Sequence, residues 1–120
     1  MVGQMPTHIV EHDQQAIDAL VKRLLMLYAD DFLSIVLFGS KARGDDTLQS
    51  DIDVLVIVKD EAWAVKHAIR TLGARISLDH NVLFNLYVIA QARWTWMQEI
   101  GHPLYRHIVD DGIDLTPVTA

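Results

Sequence analysis

Asp51 and Asp53 stand at the mouth of one apolar run, Val54 to Val58, and Gly39-Ser40 closes another, Phe32 to Phe38. On a strand, side chains two apart point the same way, so the two acids share one face while Ile52 turns to the other. Their Cα atoms then lie roughly 6.5–7 Å apart, which lets two carboxylates hold a hard divalent cation between them. Gly39-Ser40 offers a small turn with free backbone N–H groups, a feature that suits a phosphate. A phosphate cradle beside a carboxylate pair is the minimum apparatus for Mg²⁺-assisted chemistry on a nucleoside triphosphate.

The connection decides whether these parts can meet. Only 12 residues run from Gly39 to Ser50, with two glycines and no room for a full crossover helix. Parallel neighbours need a crossover of about a dozen residues or more, usually a helix, whereas antiparallel neighbours tolerate a loop. Antiparallel pairing is therefore expected. It places the exit of the first strand and the entry of the second at the same sheet edge.

The segment Gly39-Ser40-Lys41-Ala42-Arg43-Gly44, followed by Ser50-Asp51-Ile52-Asp53 and a run of aliphatics, resembles the nucleotidyltransferase domain of the DNA polymerase β superfamily. The small chain points to its minimal nucleotidyltransferase branch. The motif covers about twenty residues, and the order of elements on either side agrees with it. The resemblance implies that Asp51 and Asp53 are catalytic and bind Mg²⁺. It also implies that Gly39, Ser40, Lys41, Arg43 and Ser50 surround the phosphates of ATP or another nucleoside triphosphate. Solvation of an exposed loop is an equally simple role for Lys41 and Arg43. The resemblance further implies transfer of a nucleoside monophosphate, AMP above all, to a hydroxyl. Minimal members are commonly the antitoxin of a pair whose toxin is a helical HEPN ribonuclease, and in some pairs AMP goes to a tyrosine of the toxin. That makes a HEPN-type protein the expected partner.

One departure from the family pattern stands out. The resemblance implies a third carboxylate on the third strand, expected at Val82 to Ile89, yet that run holds neither Asp nor Glu. Asn85 is its central polar residue, and Asp79 precedes it. An amide oxygen can touch a metal but brings no charge and cannot act as a base at neutral pH. Asp79 can substitute only if the strand begins later than this reading has it. A second reading follows: a module that keeps nucleotide or partner binding, with weak or no turnover.

Composition narrows the setting. The chain of 120 residues is long enough for one domain, and 51% apolar with 22% charged residues describes a globular protein. A net charge of −6 argues against direct nucleic-acid binding, which depends on Lys and Arg meeting phosphates. With no cysteine, disulfides, thiolate metal sites and cysteine nucleophiles are excluded. No apolar run reaches the ~18 residues of a membrane span, and no signal pattern opens the chain, so a cytoplasmic setting is expected. A homo-oligomer is compatible with all of this.

The fold class expected is α/β (α+β), a small mixed sheet of three main strands packed by about four helices, in one domain over residues 1–120. Ile17, Leu20, Val21, Leu24, Leu27 and Tyr28 mark the first helix, with Thr7 or Asp13 as its cap. Phe32 to Phe38 reads as a strand buried on both faces, and residues 40–44 as a short helical turn. Gly44 to Ser50 is expected to be mobile, with Asp45 and Asp46 as solvated turn formers. Asp60 reads as the cap of a crossover helix from about Glu61 to Ser77, with Trp63 packed at its start, so the third strand runs parallel to the second. A helix with Trp94, Trp96 and Met97 follows, these three being core or interface residues. Pro103 opens a last helix that packs through Leu104, Ile108 and Val109, and Ile113 to Leu115 forms an edge strand. The ends, 1–6 and 116–120, read as loose. His8-Ile9-Val10-Glu11-His12 matches the H-x-x-E-H pattern of inverted zinc proteases. It lacks a third ligand and a peptide groove, so a protease is not the favoured reading.

Overall fold

The helical periodicity of the first third forms α1 (Glu11–Tyr28), whose buried stripe is Ala16, Ile17, Leu20, Val21 and Leu24. The structure is a computed structural model, and it describes residues 6–45 and 50–117. The remaining elements are β1 (Phe32–Phe38), α2 (Gly39–Arg43), β2 (Ile52–Val58), α3 (Trp63–His80), β3 (Phe84–Ala90), α4 (Gln91–Ile100), α5 (Pro103–Asp111) and β4 (Ile113–Asp114). They build a mixed sheet in the order β3-β2-β1-β4.

The pairing follows from the lengths of the connections. The short link between β1 and β2 gives an antiparallel pair, with Phe38 opposite Asp53. The α3 crossover makes β3 parallel to β2, with Asp53 opposite Asn85. Phe38, Asp53 and Asn85 thus form one row across three strands, at the edge where β1 ends and β2 and β3 begin.

Helices cover both faces of the sheet. One face carries Ile35, Leu37, Val54, Val56 and Val88 against α1 and Ile69, Leu72 and Ile76 of α3. The other carries Phe38, Leu55, Ile57 and Ile89 against Met97 of α4 and Ile108 of α5. The row of Asp53 and Asn85 lies on this second, thinner side, because Phe38 opposite Asp53 belongs to it.

Several local expectations shift. The helix caps are Val10 and Ala62, neither with a side-chain cap bond, so Thr7, Asp13 and Asp60 do not cap. Leu27 and Val109 are exposed, each on the outward side of an amphipathic helix. Trp63 does not pack into the core; it is 74% exposed and stacks on His67 one turn along α3. Met97 is buried, Trp94 is half-buried against Tyr105, and Trp96 is exposed. His102 caps α5, its Nδ1 accepting from the Leu104 N–H. Thr116, expected in a loose tail, is held: its Oγ1 accepts from the Ile35 N–H at 3.0 Å. The other expected loose residues, 1–5 and 118–120, and Asp46 in the connecting loop, lie outside the described residues.

Candidate active site

The strand register fixes Asp53, while Asp51 lies one residue before β2 begins. Asp53 enters β2 beside the last residue of β1, and the chain turns at once into α2 through Gly39 at φ +78°. That left-handed backbone favours glycine, and space requires it as well. A Cβ on Gly39 would lie 2.3 Å from Asp53 Oδ2, inside any tolerable contact. The glycine-serine bend and the carboxylate therefore touch, as the antiparallel connection demands.

Asn85 completes the cluster. Its Nδ2 donates to Asp51 Oδ2 at 3.1 Å and to Asp53 Oδ1 at 3.2 Å. Burial pushes the Asp53 carboxyl up from its ordinary value, and the neighbouring Asp51 charge acts in the same direction. The Asn85 hydrogen bond and the Arg43 charge pull it back down. A carboxylate held this way, beside another and partly desolvated, gains from a cation more than a solvated one does. Two carboxylate oxygens are a hard donor set of the kind Mg²⁺ takes, with waters and substrate phosphates filling the rest of its octahedron. Asp51 and Asp53 fit that group.

Around them, Ser40 is half-buried in the first turn of α2, whose leading N–H groups have no partner within the helix. Ser50 precedes Asp51 and is also half-buried. Arg43 reaches Asp45 at 3.1 Å and Asp111 of α5 at 2.8 Å. It lies close enough for its charge to act on Asp53.

Lys41 departs from both of its expected roles. It neither lines the site nor solvates a loop: it is 2% exposed, with Nζ 2.7 Å from Asp13 Oδ2. Packing of α2 onto the first turn of α1 buries Asp13, and a buried charge requires its opposite. The contact is a close ion pair between two buried side chains. Asp13 as Lys41's counter-ion was not anticipated; an acid at the third position of a helix that otherwise turns apolar residues inward was the available signal.

β3 does begin later than expected, at Phe84, yet Asp79 sits exposed in the last turn of α3. The helix runs three residues past the expected Ser77 and keeps Asp79 off the strand. Asn85, the other candidate ligand, turns its nitrogen and not its oxygen toward the acids. The H-x-x-E-H match also dissolves. His8 precedes α1 and its Nε2 meets the Lys41 carbonyl at 3.0 Å, while His12 Nε2 faces Asn81 O at 3.5 Å. Among the described residues no group of three or more His, Cys, Asp or Glu could hold a metal, so the zinc reading has no ligand set.

A family model described as a nucleotidyltransferase domain matches residues 17–113. The chain belongs to this nucleotidyltransferase family. A candidate protein adenylyltransferase of Methanocaldococcus jannaschii is 28% identical over 102 residues, covering 84% of this chain and 95% of its own. A second one from the same organism is 35% identical over 65 residues, covering 53% of this chain and 66% of its own. A solved minimal nucleotidyltransferase is 20% identical, with a TM-score of 0.56 over 94% of this chain and all of that one. At that identity the likeness concerns the nucleotidyltransferase fold. Among the described residues no helix is long and apolar enough to cross a membrane.

Proposed function

We propose that this chain transfers a nucleoside monophosphate, AMP from ATP, to a hydroxyl of a protein. The observation that carries the reading is the contact between the Asp53 carboxylate and the Gly39 bend, with Asp51 beside it. One triphosphate can reach both halves of the cluster. Asp51 and Asp53 would hold Mg²⁺, which when bound neutralises charge on the phosphates and polarises the reacting one. Ser40 and the first N–H groups of α2 orient the β- and γ-phosphates. The acceptor oxygen attacks the α-phosphorus in line, and the bond from that phosphorus to the pyrophosphate oxygen breaks. Pyrophosphate leaves and the hydroxyl proton passes to solvent, so positioning and charge stabilisation supply the rate. The Lys41 ammonium, paired with Asp13, is directed away from this role.

A protein acceptor is supported by the relatives named as protein adenylyltransferases. A structure described as a toxin-antitoxin with AMP-PNP contains a chain of the same fold, 19% identical, with a TM-score of 0.54 over 92% of this chain and 76% of that one. It supports a partner protein of the toxin-antitoxin kind; we propose that the toxin receives the nucleotide, on a tyrosine of a HEPN-type protein.

Co-expression with a neighbouring gene product tests the reading. Intact mass spectrometry should find the partner heavier by one or more AMP groups, and Asp51→Asn should remove that gain. Unchanged transfer by Asp51→Asn would reject the site. Asn85 in place of a third acid favours the second reading, a binding module with slow turnover. A tight complex with an unmodified partner would establish that one instead.

A further inference from the structure

Resting on that assignment of Asp51 and Asp53, we propose that Asn85 is a positioning residue that competes with the divalent cation for the acidic pair. Its two amide hydrogens draw on the same two carboxylates that would hold the cation. The nitrogen donates to one oxygen of each acid, at 3.1 and 3.2 Å. Chemistry dictates that orientation, since the amide oxygen turned to the same point would face two negative charges. With the nitrogen inward, the amide spans the pair and offsets part of its mutual repulsion. Asp53 and Asn85 are held opposite each other by the β2–β3 register, so the bridge is built into the sheet.

A cation drawn to those oxygens at about 2.0–2.1 Å would meet the positive ends of both N–H dipoles. The amide must then swing away or rotate to offer its oxygen. Rotation gains little, because Mg²⁺ readily keeps water at a position a neutral ligand leaves open. Breaking two hydrogen bonds to charged acceptors is the larger effect. Asn85 therefore weakens cation binding in two ways: it occupies the pair, and it withholds the negative charge of a third acid. The cation enters most readily with the triphosphate, whose oxygens add the charge that this chain lacks.

The test uses the intact chain without nucleotide. Free Mn²⁺ is followed by electron paramagnetic resonance, and Mg²⁺ by calorimetry. Asn85→Ala should bind Mn²⁺ at least threefold more tightly than the wild type despite having one polar group fewer. Asn85→Asp should bind at least tenfold more tightly and take up a second equivalent. In ¹⁵N-labelled wild type, the Asn85 side-chain NH₂ resonances should move as Mg²⁺ is added. Residue 85 is exposed on its strand, and thermal melts check that both variants fold. Equal or weaker binding by Asn85→Ala, with Asp51→Asn abolishing binding, would overturn the competitor role while leaving the acidic site intact. Binding that Asp51→Asn leaves unchanged would instead remove the site assignment on which this inference rests.

Discussion

A carboxylate pressed against a backbone Cα penalises any side chain there. At Gly39 two independent demands coincide, the left-handed φ of +78° and the 2.3 Å that would separate a Cβ from Asp53 Oδ2. The first costs an L-residue about 1–2 kcal/mol, and the second moves either the bend or the acid. Gly39→Ala should therefore destabilise the fold by about 2–3 kcal/mol. The clash can be separated from the backbone cost with a double-mutant cycle, because Asp53→Ala removes only the clash. Thermal or urea unfolding of the four proteins should show Gly39→Ala to be milder by 0.5 kcal/mol or more in the Asp53→Ala background. Additive costs would mean that the bend and the carboxylate do not touch, and the site would lose its central contact. Residue chemistry also explains what the motif left open. That Gly39, Asp51 and Asp53 cluster was legible because it depends on the order and spacing of two strands and the short link between them. The part Asn85 plays depends on which end of its amide faces the acids, and that is settled only when all three side chains are in place.

At the scale of elements, α2 is a short helix that packs on β1, β2 and α5, and a buried ion pair ties it to α1 as well. The Lys41–Asp13 pair and the His8 ring on the Lys41 carbonyl both tie α2 to the segment around the start of α1. An ion pair this deep is weak evidence for net stability, but losing one partner leaves an uncompensated buried charge. Asp13→Ala should destabilise by about 3–5 kcal/mol, while Asp13→Leu combined with Lys41→Met should cost far less or nothing. Chemical denaturation of the single and double variants decides this. An Asp13→Ala protein of wild-type stability would show that the pair does not fasten α2. The elements themselves were largely readable. Apolar periodicity located α1 and α3, and the link between β1 and β2 set their antiparallel sense. Boundaries were less so: with no side-chain cap at Val10 or Ala62, neither helix start carries the Ser, Thr or Asp that marks one in a sequence. Lys41 was misread because a lysine inside a phosphate-binding pattern looks functional, and only the docking of α1 shows where its charge is needed.

For the molecule as a whole, the sheet divides the core unequally, and the candidate site lies on the thinner side. Toward α1 and α3 the buried cluster is broad, running from Ile9 to Leu115; toward α4 and α5 its buried members are Phe38, Leu55, Ile57, Ile89, Met97 and Ile108. Hydrophobic stabilisation scales with the apolar area removed from water, so the α4–α5 layer should open at lower free energy than the rest. Arg43 bridges from α2 to Asp111 of α5, which couples that layer to the strand exit beside Asp53. Native-state hydrogen exchange should find amides around Met97 and Ile108 opening sub-globally, while those around Leu20 and Ile69 exchange only on global unfolding. Ile108→Ala, which deletes buried methyl groups at a cost of about 2–5 kcal/mol, should speed exchange in α4 and α5 much more than in α1. Equal acceleration in all three helices would mean that both layers unfold as one unit, and the edge that carries the candidate site would then be as rigid as the main core.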